Sequence, residues 1–257
     1  LYYIAHIYIL SHLHFYAIVC AIYFIHIYFS LLLTYNVFMN YDVPIITVDG
    51  VGASGKGTVA SMLAERLGYN YINTGVFYRL AAHKMKERGL PLEHSDELIE
   101  ITKNLVVDFK GKEIIHEGKD IWPHISTEEV GRAATSMAHI VPFRETIDHN
   151  IKTNHIKFPG AVVDGRASAE VLPHAKLKIF LHADAEARAR RRHGDEVRKG
   201  TGRTYEEVLE DLKYRDHQNL HRDHYKTLPA KDAIVIDTTH LTPEQVVEII
   251  LKNWEKV

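Results

Sequence analysis

The first residues that point to chemistry form a glycine-rich run that ends in Gly-Lys-Gly-Thr, 50-GVGASGKGT-58. Closely spaced glycines let the backbone curl so that successive N–H groups face inward, and a following helix adds the positive end of its dipole. Such a cradle binds polyphosphate oxygens, and the lysine can neutralise charge that shifts during transfer. The predicted phosphate ligands are Gly50, Val51, Gly52, Ala53, Ser54, Gly55, Lys56, Gly57 and Thr58.

Gly57 stands directly after the lysine, where the commonest phosphate-binding pattern has Ser or Thr. Thr58 is the nearest hydroxyl for a phosphate or for the shell of a Mg²⁺ ion. Asp49 and Asp164 end predicted strands beside the loop, and both are candidates to order water bound to Mg²⁺. We therefore expect ATP and Mg²⁺ as cofactors, with the metal brought by ATP.

Arginines indicate a second anion beside the first. Two phosphate-bearing substrates repel each other, and the planar fork of a guanidinium binds phosphate through two hydrogen bonds. Arg79 follows the run "NTGVFY", Arg144 follows "VP" and "F", and Arg166 comes directly after the strand "VVDG". The carboxyl ends of parallel strands are where open α/β sheets bind ligands, which makes Arg166 the strongest of the three candidates.

A predicted helix near the end of the chain carries two further arginines. Arg215 and Arg222 lie seven residues apart, and Asn219 shares their face. Upstream, "RARRRH" (188–193) has the composition of a nucleic-acid patch, but no aromatic residue interleaves with it. We favour a mobile lid, over about 188–204, that closes over ATP.

These residues need a scaffold, and the chain supplies alternating strands and helices. Short β-branched runs predict buried strands at 44–50, 69–75, 160–166, 177–183 and 232–238. Amphipathic runs between them predict helices, and the last helix has Pro243 in its first turn. The alternation predicts an α/β fold with a five-stranded parallel sheet flanked by helices.

The middle of the chain has a different pattern. The stretch 105–122 alternates between apolar and polar residues with two turn signals, which predicts a small β-meander. Ser126 and Glu129 have the spacing of a capping box, so we expect a helix to begin there. Together these elements predict a small α+β insert over about 104–150, between strands of the main sheet.

Composition separates the first 38 residues from the rest. No Asp, Glu, Lys or Arg occurs before Asp42, and the apolar run is long enough to span a bilayer. It lacks flanking Lys or Arg residues and a signal-peptide pattern, and the first methionine is Met39. We expect residues 1–38 to be a dispensable or artefactual extension; a membrane segment is the alternative.

The remaining composition sets simple limits. A net charge of −2 gives no basic field for nucleic acid. Cys20 is the only cysteine, so no disulfide forms within the chain, which fits a reducing cytoplasm. We expect a cytoplasmic protein with small-molecule substrates and no nucleic-acid partner.

The chain from 43 to 257 resembles the bacterial cytidylate kinases, which are P-loop nucleoside monophosphate kinases. The resemblance rests on "DGVGASGKGT", "NTGVFYRLAA", "AATSMAHIVPFR", "VVDGR", "LKIFLHADAEARARRR", "YEEVLEDLKYRD" and "DAIVIDTTHLTPEQVVEII". It implies a P-loop NTPase fold and a monomer that transfers the γ-phosphoryl group of ATP to CMP or dCMP. It also implies that the insert binds the monophosphate, and that glycine is usual at position 57.

The resemblance also assigns individual residues. Arg79, Arg166 and Arg222 match ligands of the acceptor phosphate, and Thr135 and Arg144 match groups that contact the base. Thr74 matches a serine of the "DSG" turn, while Arg215 and Asn219 match positions near the ribose. The implied catalytic residues are Lys56, Arg166 and Arg222.

One departure from the family bears on the substrate. Ala167 stands where the family has an aspartate that helps to recognise cytosine, and Glu170 or Ser168 could compensate. The first choice is therefore a (d)CMP kinase, and a same-fold kinase acting on UMP or AMP is the closest alternative. The alternative from another class is a catalytically silent nucleotide-binding protein tethered to a membrane.

Overall fold

A five-stranded parallel sheet lies at the centre of the part of the chain that begins at residue 43. The computed structural model describes residues 43–92, 95–110, 113–221 and 226–257. With strands numbered along the chain, the sheet has the order β2-β6-β1-β7-β8. Its strands are β1 (Ile45–Gly50), β2 (Asn70–Asn73), β6 (Ala161–Asp164), β7 (Leu177–His182) and β8 (Ile234–Asp237). The predicted α/β fold and its five strands are confirmed.

Strand β1 lies in the middle of the sheet, and both of its faces are covered. All six of its residues are buried, and it pairs in parallel with β6 on one side and β7 on the other. Ile45 belongs to the apolar cluster on one face of the sheet, whereas Ile46 and Val48 belong to the cluster on the other face. A continuous apolar run is what a strand buried on both faces requires.

Helices cover the sheet, and glycines in the left-handed region bound the first of them. Gly55 (φ 88°) precedes α1 and Gly68 (φ 65°) ends it. A π-helical stretch, Ile151–His155, continues α6. The helices are α1 (Lys56–Leu67), α2 (Thr74–Glu87), α3 (Ser95–Lys103), α4 (Trp122–Ile125), α5 (Glu128–Met137), α6 (Val141–Asn150), α7 (Ser168–Val171), α8 (Ala185–Lys199), α9 (Tyr205–Leu220) and α10 (Pro243–Trp254).

Between β2 and β6 the chain forms a second, antiparallel sheet. Its strands are β3 (Asp108–Lys110), β4 (Glu113–His116) and β5 (Lys119–Asp120), which confirms the predicted meander. Helices α4, α5 and α6 follow it. Glu117 and Gly118 both have positive φ in the turn between β4 and β5, as a tight hairpin needs.

The predicted capping box at Ser126 is wrong by one residue. Helix α5 begins at Glu128, and its N-cap is Thr127, whose side chain accepts a hydrogen bond from the Val130 backbone N–H. Ser126 instead ends α4, since its own N–H donates to the carbonyl of Trp122. Two helices abut here, and the first helix takes the residue that the pattern assigned to the second.

In the described part of the chain, no helix combines the length and apolar character that a membrane span needs. Residues 1–38 lie outside the described residues, so both interpretations of that segment stay predictions.

Candidate active site

The glycine-rich loop connects β1 to α1 and is shaped by backbone geometry. Gly50 has φ 151°, and a Cβ at this position would lie 2.0 Å from the carbonyl oxygen of Leu181, so only glycine fits. Within the loop, the hydroxyl of Ser54 and the Nζ of Lys56 both donate to the Val51 carbonyl, at 3.0 and 3.2 Å. The loop is therefore curled, with the lysine folded over it.

The glycine after the lysine has a structural reason. A Cβ on Gly57 would lie 3.3 Å from Oδ2 of Asp164 and 3.6 Å from the hydroxyl of Tyr71. Tyr71 donates a hydrogen bond to that same carboxylate oxygen, at 3.2 Å. A Ser or Thr at position 57 would crowd this pair, so the first hydroxyl after the lysine is that of Thr58.

The two aspartates beside the loop have different surroundings. Both carboxylate oxygens of Asp49 accept backbone hydrogen bonds, from Ser168 at 2.7 Å and from Ala169 at 2.8 Å, so Asp49 caps the start of α7. Asp164 lines the cavity described below, together with Lys56. Thr58 is exposed and does not line this cavity.

Asp164 and Lys56 shift each other's ionisation less than their burial does. Burial raises the pKa of Asp164 to about 6, against the opposing effect of the nearby Lys56 ammonium. Burial, and then the charge of Arg166, lower the pKa of Lys56 to about 8, against the pull of Asp164. A carboxylate and an ammonium thus share the mouth of the phosphate loop, and both titrate close to neutrality.

A cavity of about 360 Å³ opens from Lys56 and Gly57. It brings together every acceptor-site residue predicted from the sequence that lies in the described part of the chain. Arg222 lies outside the described residues, so its predicted roles stay predictions. The predicted residues that line the cavity are Thr74, Arg79, Thr135, Arg144, Arg166, Arg215 and Asn219.

Four guanidinium groups surround one part of this cavity. Burial, together with the charges of Arg215, Arg192 and Arg166, lowers the pKa of Arg79 to about 10. Gly131 on α5 makes room for two of them, since a Cβ there would lie 2.7 Å from Nη2 of Arg79 and 3.2 Å from Nη2 of Arg215. Such mutual repulsion is relieved by an anion, which makes this the natural place for a phosphate.

Arg79 is held in this position by the junction of α4 and α5. Its Nη1 donates to the carbonyls of Ile125, at 2.7 Å, and Thr127, at 3.0 Å. These carbonyls end α4 and precede α5. The α4–α5 junction thus fixes the direction of an arginine that belongs to α2.

Three of the four arginines of the basic run "RARRRH" contact different parts of the molecule, and the fourth, Arg190, is exposed. Arg188 donates to the carbonyl of Gly52 at 3.1 Å and pairs with Asp216 at 2.6 Å, so it ties the phosphate loop to α9. Arg191 donates to the carbonyl of Thr238, after β8. Arg192 lines the cavity. Sequence reasoning placed the run in a lid and missed Arg192 as a cavity residue, although the density of arginine was a signal.

The far wall of the cavity is made by α5 and α6. The Thr135 hydroxyl donates to the Gly131 carbonyl at 2.9 Å, and Nη1 of Arg144 donates to the Ala138 carbonyl at 3.2 Å. The Arg144 guanidinium also lies 5.5 Å from the centre of the Tyr78 ring. Asp148, one turn after Arg144, lines the same cavity and was missed.

The signal for Asp148 was present in the sequence. Residues four apart on a helix share a face, so a helix that turns Arg144 to the cavity also turns Asp148 to it.

A buried strand, a phosphate loop, a helix and an arginine-lined cavity at the loop's mouth define the class of P-loop kinases.

Comparison with known proteins narrows this class. The family model described as cytidylate kinase matches residues 46–256. A cytidylate kinase of Bordetella pertussis is 39% identical over 212 residues, covering 82% of this chain and 95% of that protein. One from Pseudomonas aeruginosa is 37% identical over 225 residues, covering 85% and 98%. The chain belongs to the cytidylate kinase family, which confirms the resemblance seen in its motifs.

Proposed function

We propose that this enzyme transfers the γ-phosphoryl group of ATP to CMP or dCMP, giving ADP and CDP or dCDP. The observation that carries the proposal is the convergence of Arg79, Arg166 and Arg215 on a cavity that opens from Lys56. A phosphate loop provides for one polyphosphate, and a separate arginine cluster beside it provides for a second phosphate. That the base of the acceptor is cytosine is inferred from the matched family and the names of its relatives.

The proposed reaction is a direct transfer between the two phosphates. The loop backbone and Lys56 hold the donor, and the arginines hold the acceptor phosphate and offset the repulsion between them. Phosphoryl transfer needs positioning and charge neutralisation more than a protein nucleophile, so no covalent enzyme intermediate is invoked. Below, "phosphate end" means Gly50–Lys56, Asp164 and Arg166, and "base end" means Thr135, Arg144, Asp148 and Ala167.

We also propose that Mg²⁺ enters with ATP and that Asp164 is the protein group beside it. Mg²⁺ prefers oxygen ligands and keeps several waters, so one carboxylate next to the phosphates suits it. Asp164 fits, because its carboxylate lines the cavity next to Lys56, whereas Asp49 uses both oxygens to cap α7. When bound, the ion neutralises charge on the phosphates.

The broader organisation is proposed on the same basis. We propose a cytoplasmic monomer in which the insert, about 104–150, and a lid, about 188–204, close over the substrates. Light scattering with and without nucleotides tests the monomer, and a dimer at micromolar concentration contradicts it.

The decisive experiment is an ADP-release assay with CMP, dCMP, UMP and AMP as acceptors. We expect turnover with CMP and dCMP, and at least about tenfold lower kcat/KM with UMP and AMP. A preference for UMP or AMP supports the same-fold alternative, which the apolar side chain of Ala167 makes a specific rival. Nucleotide binding with no turnover on any acceptor supports the silent binding protein.

A further inference from the structure

At the base end, position 167 faces the cavity but carries an apolar alanine in place of a polar side chain. Ala167 lines the cavity directly before α7 and is buried. Glu170, one of the two residues that could compensate, is exposed and does not line the cavity. Ser168, the other, lies close to the phosphate end, since a Cβ on Gly165 would lie 2.0 Å from its Oγ and 2.9 Å from Oγ1 of Thr74. Glu170 therefore offers no acceptor to the cavity, and Ser168, which does line it, offers only an uncharged hydroxyl that lies close to Gly165.

Asp148 does offer one, from the opposite helix. Among the described residues that line the cavity, the only carboxylates are Asp148 and Asp164. Asp164 lies at the phosphate end, with Lys56 and Tyr71. Asp148 lies on α6 one turn after Arg144, and the charge of Glu170 on α7 reaches it. The base end thus pairs one carboxylate acceptor with the Arg144 donor.

That pairing matches one kind of pyrimidine edge. Cytosine presents an exocyclic amine, which donates, beside a ring nitrogen that accepts, whereas uracil presents a carbonyl that accepts and a ring N–H that donates. A carboxylate next to a guanidinium complements the first pattern. It places two acceptors face to face in the second, which costs the energy of an unpaired buried group.

We propose that Asp148 accepts a hydrogen bond from the exocyclic amine of the acceptor base, in place of a side chain at position 167, and so selects an aminopyrimidine. This inference rests on the proposed function, since it assumes that the base of the acceptor nucleotide occupies this end of the cavity.

The ionisation of Asp148 gives the proposal a second consequence. Burial raises the pKa of Asp148 to about 6; Arg144 and Lys152 act against this, while Glu145 and Glu170 add to it. At pH 8 the group is a carboxylate that only accepts; well below its pKa it is an acid that can donate to the uracil carbonyl. The preference for CMP over UMP should therefore fall as the pH is lowered.

The test is the ratio of kcat/KM for CMP to kcat/KM for UMP, in wild type and in Asp148→Asn. An amide presents both a donor and an acceptor, so we expect the ratio to fall about ten- to hundredfold, mainly through loss of CMP activity. Asp96→Asn, the same change at an exposed aspartate of α3 that does not line the cavity, is the matched control and should leave the ratio unchanged. The ratio does not depend on the fraction of folded enzyme.

An unchanged ratio in Asp148→Asn, or an equal loss with both nucleotides, overturns the inference. The wild-type ratio, measured between about pH 8 and about pH 5.5, is a second test that needs no variant, and a ratio that stays constant also overturns it. Substrate-phosphate ionisation cancels because both nucleotides carry the same group. The proposed function fails in a different way, by wild type showing no turnover with CMP at pH 8.

Discussion

The phosphate end of the cavity is held by the central sheet, whereas the base end is held by helices. At the phosphate end Gly50 packs against the Leu181 carbonyl of β7, and Asp49 caps α7 with both oxygens. At the base end the groups that face the cavity are side chains of α5 and α6, together with Ala167 before α7.

This difference decides how each end responds to sequence change. Backbone groups at the phosphate end have one workable geometry, so a substitution there disturbs the loop itself. Side chains at the base end can be exchanged between neighbouring elements. With no carboxylate at position 167, Asp148 on the opposite helix still gives the base end an acceptor.

The largest expected effect comes from the phosphate end. Lys56→Ala should lower turnover by about 10²- to 10³-fold or more, because it removes a cation from beside the transferring group. Its stability should hardly change, which a thermal melt checks. Lys252→Ala, exposed on α10, is the control. Activity within tenfold of wild type would show that the loop backbone acts without the lysine.

A second prediction concerns the backbone of the same loop. Gly50→Ala should destabilise the protein by about 3 kcal/mol or more, since the new methyl group meets the Leu181 carbonyl at 2.0 Å. Gly194→Ala in α8 is the matched control, because a Cβ at position 194 meets no atom nearer than 3.7 Å. This substitution should stabilise the protein by about 0.5–1 kcal/mol. Urea unfolding measures both, and equal stabilities would contradict the close approach.

The same division explains what could be predicted from the sequence. The phosphate loop is a local pattern flanked by a buried strand and a helix, so its residues and fold were read directly from the chain. Arg79, Arg144 and Arg166 were also found and do line one cavity. Arg166 comes directly after a strand, whereas Arg79 and Arg144 lie in the first turns of α2 and α6, shortly after a glycine and a proline that mark those helix starts.

The rest depended on which face of a helix turns inward. The spacing of Asp148 from Arg144 and the arginine density around Arg192 are signals, but they show a cavity role only once the packing of α6 and α8 is known. The cap at Ser126 failed because a pattern of four residues does not show that another helix ends there. Chemistry supplied by side chains on helices is therefore harder to predict than chemistry supplied by a loop backbone.

A third prediction concerns the pH dependence of the phosphate end. We expect kcat/KM for ATP, at saturating CMP, to rise as Asp164 ionises near its pKa of about 6, and to fall as Lys56 loses its proton near about 8. Activity rises and then falls with pH because the Asp164 carboxylate is the form that would hold Mg²⁺, and the Lys56 ammonium is the form that would bind the phosphates.

Asp164→Asn should remove the acid limb of this profile and lower the maximum about tenfold or more. A limb that persists in the variant belongs to the substrate phosphate, whose second pKa is also about 6. Saturating CMP covers Asp148, so this profile tests the phosphate end, while the CMP-to-UMP ratio tests the base end.

The smallest expected effect concerns the helix that carries Thr135. Thr127→Ala removes the N-cap of α5 and should cost about 0.5–1 kcal/mol, the low end for a cap because the Oγ1 to Val130 nitrogen distance is 3.4 Å. Ser126→Ala should cost less, since no side-chain cap for α5 lies there. Urea unfolding compares the two variants, and a larger loss of stability in Ser126→Ala would show that Ser126 caps α5.

Because α5 packs beside Arg79 and not under the phosphate loop, we expect both variants to keep Lys56-dependent turnover. A change would appear first as a higher KM for the acceptor, which would locate the effect at the base end.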